Sequence, residues 1–149
     1  MKTDDVGFVE YILADAESPR IAAECFAQNA SERGVALSEL QEAVLLILRY
    51  DDVIQVHGLA EVVEEMAPDF ERLAGALDKF GCSDHAAEIR AIIKDLDGLP
   101  RNDFNVISEF VRGKGDYDSA TIRLTQDVEK IRRNVVKALI ERKAPSLGD

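Results

Sequence analysis

Two potential metal ligands stand one helical turn apart in the middle of this chain. Cys82 and His85 form a Cys-x-x-His pair within the segment FGCSDHAAEIR. Thiolate sulfur and imidazole nitrogen are ligands of structural and catalytic zinc sites, and structural sites usually combine two such pairs. The segment could therefore be half of a metal site, or it could be the corner between two helices.

The number of available ligands favours the corner. The chain contains only two cysteines and two histidines, so a four-ligand site would also need Cys25 and His57 from distant segments. The residues beside the pair have a structural explanation. Gly81 fits the left-handed position that ends a helix, and Ser83 fits the N-cap of the next helix. We therefore expect a helix–helix corner, with no metal or other cofactor.

The motifs of common enzyme classes are missing from the sequence. It contains no H-E-x-x-H, no Walker loop and no G-x-S-x-G, and neither histidine has a glutamate three positions earlier. DLDG at 95–98 begins like a calcium loop, but Leu99 and Val106 occupy positions that need oxygen ligands. We expect a protein that is not an enzyme. One alternative stays open: His57, beside the helix-breaking Gly58, could line a pocket for a small molecule or substrate.

The charge of the chain is strongly negative and unevenly distributed. It has 18 basic and 29 acidic residues, for a net charge of −11. Residues 1–100 hold 21 acidic and 8 basic residues, a net of −13, whereas residues 101–149 hold 8 acidic and 10 basic residues, a net of +2. Such a surface repels nucleic acid and anionic membranes, and it attracts proteins with basic surfaces.

Length and hydropathy indicate one domain outside the membrane. A chain of 149 residues can bury a single core. Its longest apolar run, AVLLIL at 43–48, is much shorter than the ~20 residues that cross a bilayer. The acidic N-terminus, MKTDDVGFVE, does not resemble a signal peptide. We expect a cytoplasmic protein with reduced cysteines.

Apolar residues recur with helical spacing along almost the whole chain, which predicts one compact all-α domain of seven or eight helices. A helix from Ser38 to Gly58 should be central, because Leu45 and Leu46 widen its apolar stripe. YDDVIQV at 50–56 also alternates in the manner of a short strand, which is the alternative for that segment. A preceding helix should bury Ile21, Cys25 and Phe26.

The C-terminal third predicts a flexible loop and a long helix. The loop is RGKGDYD at 112–118, and the helix covers 119–143. This helix carries an apolar stripe formed by Leu124, Val128, Ile131, Val135 and Leu139. The stripe fits core packing, and it could alternatively be the seam of a homodimer.

Carboxylates are concentrated on the predicted helices between residues 61 and 88. Glu61, Glu64 and Glu65 stand at i, i+3 and i+4 and so share one helical face. Carboxylates on successive turns are about 5.4 Å apart along the axis, comparable with the ~3.4 Å between phosphates of one DNA strand. We expect an acidic partner-binding face formed by Glu61, Glu64, Glu65, Asp69, Glu71, Asp78, Asp84 and Glu88.

The segment 38–96 resembles an all-helical bacterial family of otherwise unknown function that includes an acidic DNA-mimic protein. ALDKFGCSDHAAEI at 76–89 is similar to that family's "ALxxxGAxxHA" turn between two helices. VIQVHGLAEVVEE at 53–65 stands where the family has an Asn-Gly-Gly-Phe motif, but only Gly58 of the glycine pair is present. The resemblance implies a compact helical domain that sequesters a DNA-binding protein without catalysis.

These observations lead to one functional expectation with alternatives. We expect an acidic module that binds a basic or nucleic-acid-binding protein. One version of this hypothesis is that the module imitates DNA and so sequesters its partner. An immunity-type inhibitor of a basic toxin is a variant of the same idea. A small-molecule-binding or enzymatic helical domain with a pocket near His57 is the alternative from another class.

Overall fold

The structure, a computed structural model, describes residues 5–14, 19–114 and 117–143. All regular elements in these ranges are helical, which confirms the predicted all-α class. They are α1 (Asp5–Leu13), α2 (Pro19–Glu32), α3 (Glu39–His57), α4 (Leu59–Met66), a 3-10 turn (Ala67–Asp69), α5 (Phe70–Lys79), α6 (Ser83–Asp95), α7 (Phe104–Gly113), α8 (Tyr117–Leu124) and α9 (Lys130–Lys143). The segment 50–56 lies inside α3, so the strand alternative is wrong.

Helix α3 occupies the centre of the fold, as predicted. It begins after Ser38, whose hydroxyl oxygen accepts a hydrogen bond from the backbone N–H of Gln41 at 3.2 Å. The Gln41 side chain accepts one from the Ser38 N–H at 2.9 Å, which completes a capping box. Gln41 also donates to the Asp5 carboxylate at 3.0 Å and so ties α1 to α3. Helices α1, α2, α4, α5 and α9 all pack against α3.

The apolar face predicted for α2 is largely exposed. Ile21 is 52% exposed and Cys25 is also exposed, while Ala22 and Ala23 are buried. The small side chains of these alanines form the buried face of α2, and Ile21 and Cys25 point outward. Phe26 is half-buried and packs edge-on against Phe8, with ring centroids 5.0 Å apart.

The predicted C-terminal helix 119–143 is two helices, α8 and α9, separated by a turn. The Asp127 carboxylate accepts a hydrogen bond from the backbone N–H of Glu129 at 3.2 Å, which competes with helical hydrogen bonding. The turn leaves Val128 58% exposed. The other stripe residues are buried in the core of the chain itself, so this stripe is not available as a dimer seam: Leu124, Ile131, Val135 and Leu139.

The predicted loop 112–118 is shorter than expected in the part that the structure describes. Helix α7 continues to Gly113 and α8 begins at Tyr117. Residues 115 and 116, at the centre of the predicted loop, lie outside the described residues.

Candidate functional site

The pair Cys82 and His85 lies at the corner between α5 and α6, and both side chains are buried. Gly81 has the left-handed φ of 75° predicted for it. Cys82 occupies the N-cap position, and Ser83, predicted as the cap, is the first residue of α6. The segment is therefore a helix–helix corner.

The surroundings of both side chains keep them uncharged. His85 Nδ1 lies 2.7 Å from the hydroxyl oxygen of Tyr50. Burial lowers the pKa of the His85 imidazole and raises the pKa of the Tyr50 hydroxyl, so both groups are neutral at neutral pH. Burial also raises the pKa of the Cys82 thiol, which keeps it protonated. The described residues contain no group of three or more His, Cys, Asp or Glu side chains that could hold a metal ion.

Helix α9 fastens this corner from outside. Asn134 Nδ2 lies 3.4 Å from the Gly81 carbonyl oxygen and 3.6 Å from Cys82 Sγ. Lys130 Nζ lies 3.1 Å from Asp84 Oδ1. Partial burial would raise the pKa of Asp84, but hydrogen bonds from Lys130 and from the backbone N–H of His85 outweigh it and lower that pKa. The corner is a structural junction.

Five of the eight acidic residues expected to form a partner-binding face are paired with Lys or Arg of the same chain. Asp69 pairs with Arg72 within its own helical turn. The other four pairs, with their N–O distances, are Glu71–Arg101 at 2.5 Å, Asp78–Arg90 at 2.5 Å, Asp84–Lys130 at 3.1 Å and Glu88–Arg123 at 2.8 Å. The surface of α5 and α6 therefore carries ion pairs, and these five carboxylates do not form a row of unpaired negative charges.

The basic ends of these pairs come largely from the C-terminal third of the chain. Arg101, Arg123 and Lys130 all belong to it, and Lys114 adds a pair with Asp95 at 2.7 Å. The negative charge of the first 100 residues is thus partly neutralised in the fold, because the basic C-terminal segment packs against the acidic helices.

The remaining acids of the predicted face form one strip on α4. We name Glu61, Glu64 and Glu65 the α4 strip. In the described parts of the chain, no Lys or Arg nitrogen lies within 4.0 Å of these three carboxylates. The opposite face of α4 is fully buried through Leu59, Val62, Val63 and Met66. The strip is therefore displayed on a helix that the core holds in place.

The N-terminus of α4 is held by a residue that sequence reasoning missed. Thr121 of α8 accepts a hydrogen bond from the backbone N–H of Leu59 at 2.8 Å and donates one to the Tyr117 carbonyl at 2.8 Å. Gly58, with a φ of 91°, ends α3 and begins α4, and a Cβ there would lie 3.5 Å from Thr121 Oγ1. Only the local Gly58 break was visible in the sequence, because Thr121 is 62 residues away.

His57, the residue predicted for a pocket, sits at the end of α3 with a side chain 54% exposed. Its Nδ1 lies 3.6 Å from a carboxylate oxygen of Glu61. It lines none of the three grooves described next. The pocket near His57 therefore stays a prediction, and none of these three grooves among the described residues supports it.

Three grooves are lined by residues that the structure describes. Two adjoin each other between α3 and α5 and have volumes of about 350 and 250 Å³. The third, of about 230 Å³, lies between α2, α3 and α9, and Asp51 and Asp52 line it together with Arg20 and Arg132. Burial raises the pKa of Asp51 to about 6.

Comparison with protein-family models, with curated proteins and with solved structures finds no match to this chain. The resemblance of the segment 76–89 to a family turn therefore stays a prediction. Among the described residues, no helix combines the length and apolar character needed to span a membrane.

Proposed function

We propose that this protein is a non-catalytic acidic interaction module that binds a basic partner protein through the α4 strip. The observation that supports this is the contrast between the α4 strip and the other predicted acids. Those of α5 and α6 are paired internally, whereas Glu61, Glu64 and Glu65 have no Lys or Arg partner in the described residues. Like charges at i, i+3 and i+4 cost a few tenths of a kcal/mol each, and a basic partner relieves that cost.

The arrangement also limits what the partner surface looks like. The net charge of −11 attracts a basic protein over a long range. The α4 strip itself spans little more than one turn, about 6 Å along the helix axis. It therefore fits a compact cluster of Lys and Arg side chains better than a long groove that follows a duplex. A DNA mimic and an inhibitor of a basic toxin are two forms of this proposal.

Charge-matched variants test the proposal. Replacing Glu61, Glu64 and Glu65 together by Gln removes the α4 strip. The control replaces Glu10 and Glu141 by Gln and Asp97 by Asn; these three residues are exposed and lie outside α4. Both variants lose three negative charges and so have the same net charge. A difference between them in the capture of basic proteins from native lysate at low salt therefore reports the position of the charges.

We expect the wild-type protein and the control to retain the same basic proteins, and the strip variant to lose them. High salt should elute them, because exposed charge pairs are screened. If the strip variant captures the same set, the proposal is wrong. Competition with duplex DNA then separates the two forms: a DNA mimic releases its partner to DNA, whereas a toxin inhibitor bound away from a nucleic-acid site does not.

A further inference from the structure

The apolar stripe of α3 is wider than the core requires. Leu40, Val44, Ile47 and Leu48 face the core and are buried. Ala43, Leu45 and Leu46 are only half-buried, and they line the two adjoining grooves between α3 and α5. The two grooves share Glu42, Leu46 and Arg72, and we name them together the α3–α5 groove. The wide stripe that predicted a central helix therefore has a second, open apolar side.

In the larger of the two grooves the walls carry opposite charge, whereas in the smaller one Arg49 on α3 and Asp69 beside α5 reverse that order. Glu39 and Glu42 on α3 form one wall, and Arg72 and Lys79 on α5 form the other. Arg72 pairs with Asp69 three residues earlier, and exposed pairs of this kind are weak, so Arg72 can turn to a partner. Arg72 and Lys79 are two helical turns apart, about 10.5 Å along the axis.

We propose that the α3–α5 groove binds an amphipathic helix of a partner protein. The apolar ridge of that helix lies on Ala43, Leu46 and Ala76. Its Lys or Arg side chains face Glu39 and Glu42, and two acidic side chains seven positions apart face Arg72 and Lys79. Ridges of one helix pack into the groove between two others, and an apolar groove with charged rims is a common way to bind a helix.

A helix fits this groove better than a second copy of the chain does. If two copies met face to face, the two concave grooves would lie opposite each other. The apolar floors would then remain unfilled and lose van der Waals contacts. In the larger groove, the charge order across the walls also gives the ligand one orientation, because a reversed arrangement would place like charges together. The proposal concerns a different surface from the α4 strip and does not depend on it.

The groove can be blocked without damage to the fold. A Cβ built on Gly75 meets nothing within 4 Å, and its backbone is ordinary helix, so Gly75→Gln extends a side chain into the groove. Gly113→Gln is the matched control, because that glycine also has open space around its Cβ and lies at the end of α7, outside the groove.

The probes are helical peptides of about five turns, with the ridge varied among Ala, Leu and Met. In one panel the charged flanks match the walls, and in the other the same charges are exchanged. We expect at least one matched peptide to bind about tenfold more tightly than its exchanged counterpart. Amide chemical-shift changes should map to Ala43, Leu46 and Ala76. Gly75→Gln should weaken binding about tenfold, and Gly113→Gln should leave it unchanged.

Three outcomes overturn the proposal: no matched peptide binds, matched and exchanged peptides bind equally, or sedimentation shows a dimer that Gly75→Gln dissociates. The α4 strip variant should still bind the peptide, and Gly75→Gln should still capture the basic proteins. The failure of one proposal is therefore distinguishable from the failure of the other.

Discussion

Burial strongly perturbs the Asp51 carboxyl group. It is half-buried in the groove between α2, α3 and α9, and it accepts a hydrogen bond from the Gln55 amide at a long 3.4 Å. Burial raises the pKa of Asp51 from 3.8 to about 6, and the neighbouring Asp52 acts in the same direction. The folded protein therefore binds this proton more tightly than the unfolded chain does. Asp51 costs stability once it is ionised.

Asp51→Asn should stabilise the protein at neutral pH by on the order of 1–3 kcal/mol, because the amide carries no charge to desolvate. The gain should be small near pH 4, should grow as pH rises to about 6, and should be constant above that value. Urea unfolding at several pH values measures it. Asp52→Asn is the control: Asp52 is exposed, and its replacement should change the free energy of unfolding by at most ~0.5 kcal/mol. A destabilised Asp51→Asn at neutral pH would contradict the assignment.

Residues with local roles could be predicted from the sequence, and residues with distant partners could not. Gly81 and Ser38 act on backbone within a few positions, so their turn and cap were readable. The contact between Tyr50 and His85 joins residues 35 positions apart, and no sequence pattern marks it. For the same reason the strip Glu61, Glu64 and Glu65 was predicted as part of a larger face, since the ion pairs that divide that face join distant elements.

At the scale of elements, α4 depends on α8 for its first hydrogen bond. The backbone N–H groups of a first helical turn have no partner within the helix, and an α4 of eight residues has few turns to compensate. Gly58 has no side chain that could cap this end. Thr121 therefore takes the role of a cap from another helix, and it fixes the helix that carries the α4 strip.

Thr121→Val should destabilise the protein by about 1–3 kcal/mol, because it leaves the buried Leu59 N–H without an acceptor. Hydrogen exchange at Leu59 should accelerate more than the global change explains. Thr125→Val is the matched control: its hydroxyl donates to the Thr121 carbonyl within the same turn, so its loss should cost at most ~0.5 kcal/mol. Equal effects from the two variants would show that Thr121 is no special support for α4.

The C-terminal region shows why element boundaries are harder to predict than element type. Helical spacing runs through 119–143 without interruption, and Thr125 and Asp127 are polar residues that a helix tolerates on its surface. In the fold, Asp127 instead pairs with Arg133 and accepts the Glu129 N–H. That local competition ends one helix and starts another, which an apolar period does not reveal.

At the scale of the whole molecule, the fold sets the acidic and basic parts of the chain against each other. The acidic side chains of the first 100 residues would repel one another if this part of the chain stood alone. Four bases from residues 101–149 pair with acids of α5 and α6. These pairs are partly exposed, so each stabilises the fold by roughly 0.2–1 kcal/mol. Together these pairs hold the C-terminal helices against α5 and α6. They leave the carboxylates of the α4 strip without a Lys or Arg partner among the described residues.

Replacing Arg101, Arg123 and Lys130 together by Gln should therefore lower the free energy of unfolding by about 1–2 kcal/mol at low salt. The net charge becomes −14, since three positive charges are lost from −11. Arg33, Arg49 and Lys137, replaced together by Gln, lose the same charge at exposed positions without an ion pair in the described residues. That control should lose less stability, because it raises general repulsion without breaking pairs. Added salt should narrow the difference, since screening weakens exposed pairs. Equal losses in the two variants, measured by urea unfolding at low salt, would show that net charge and not pairing holds the two parts together.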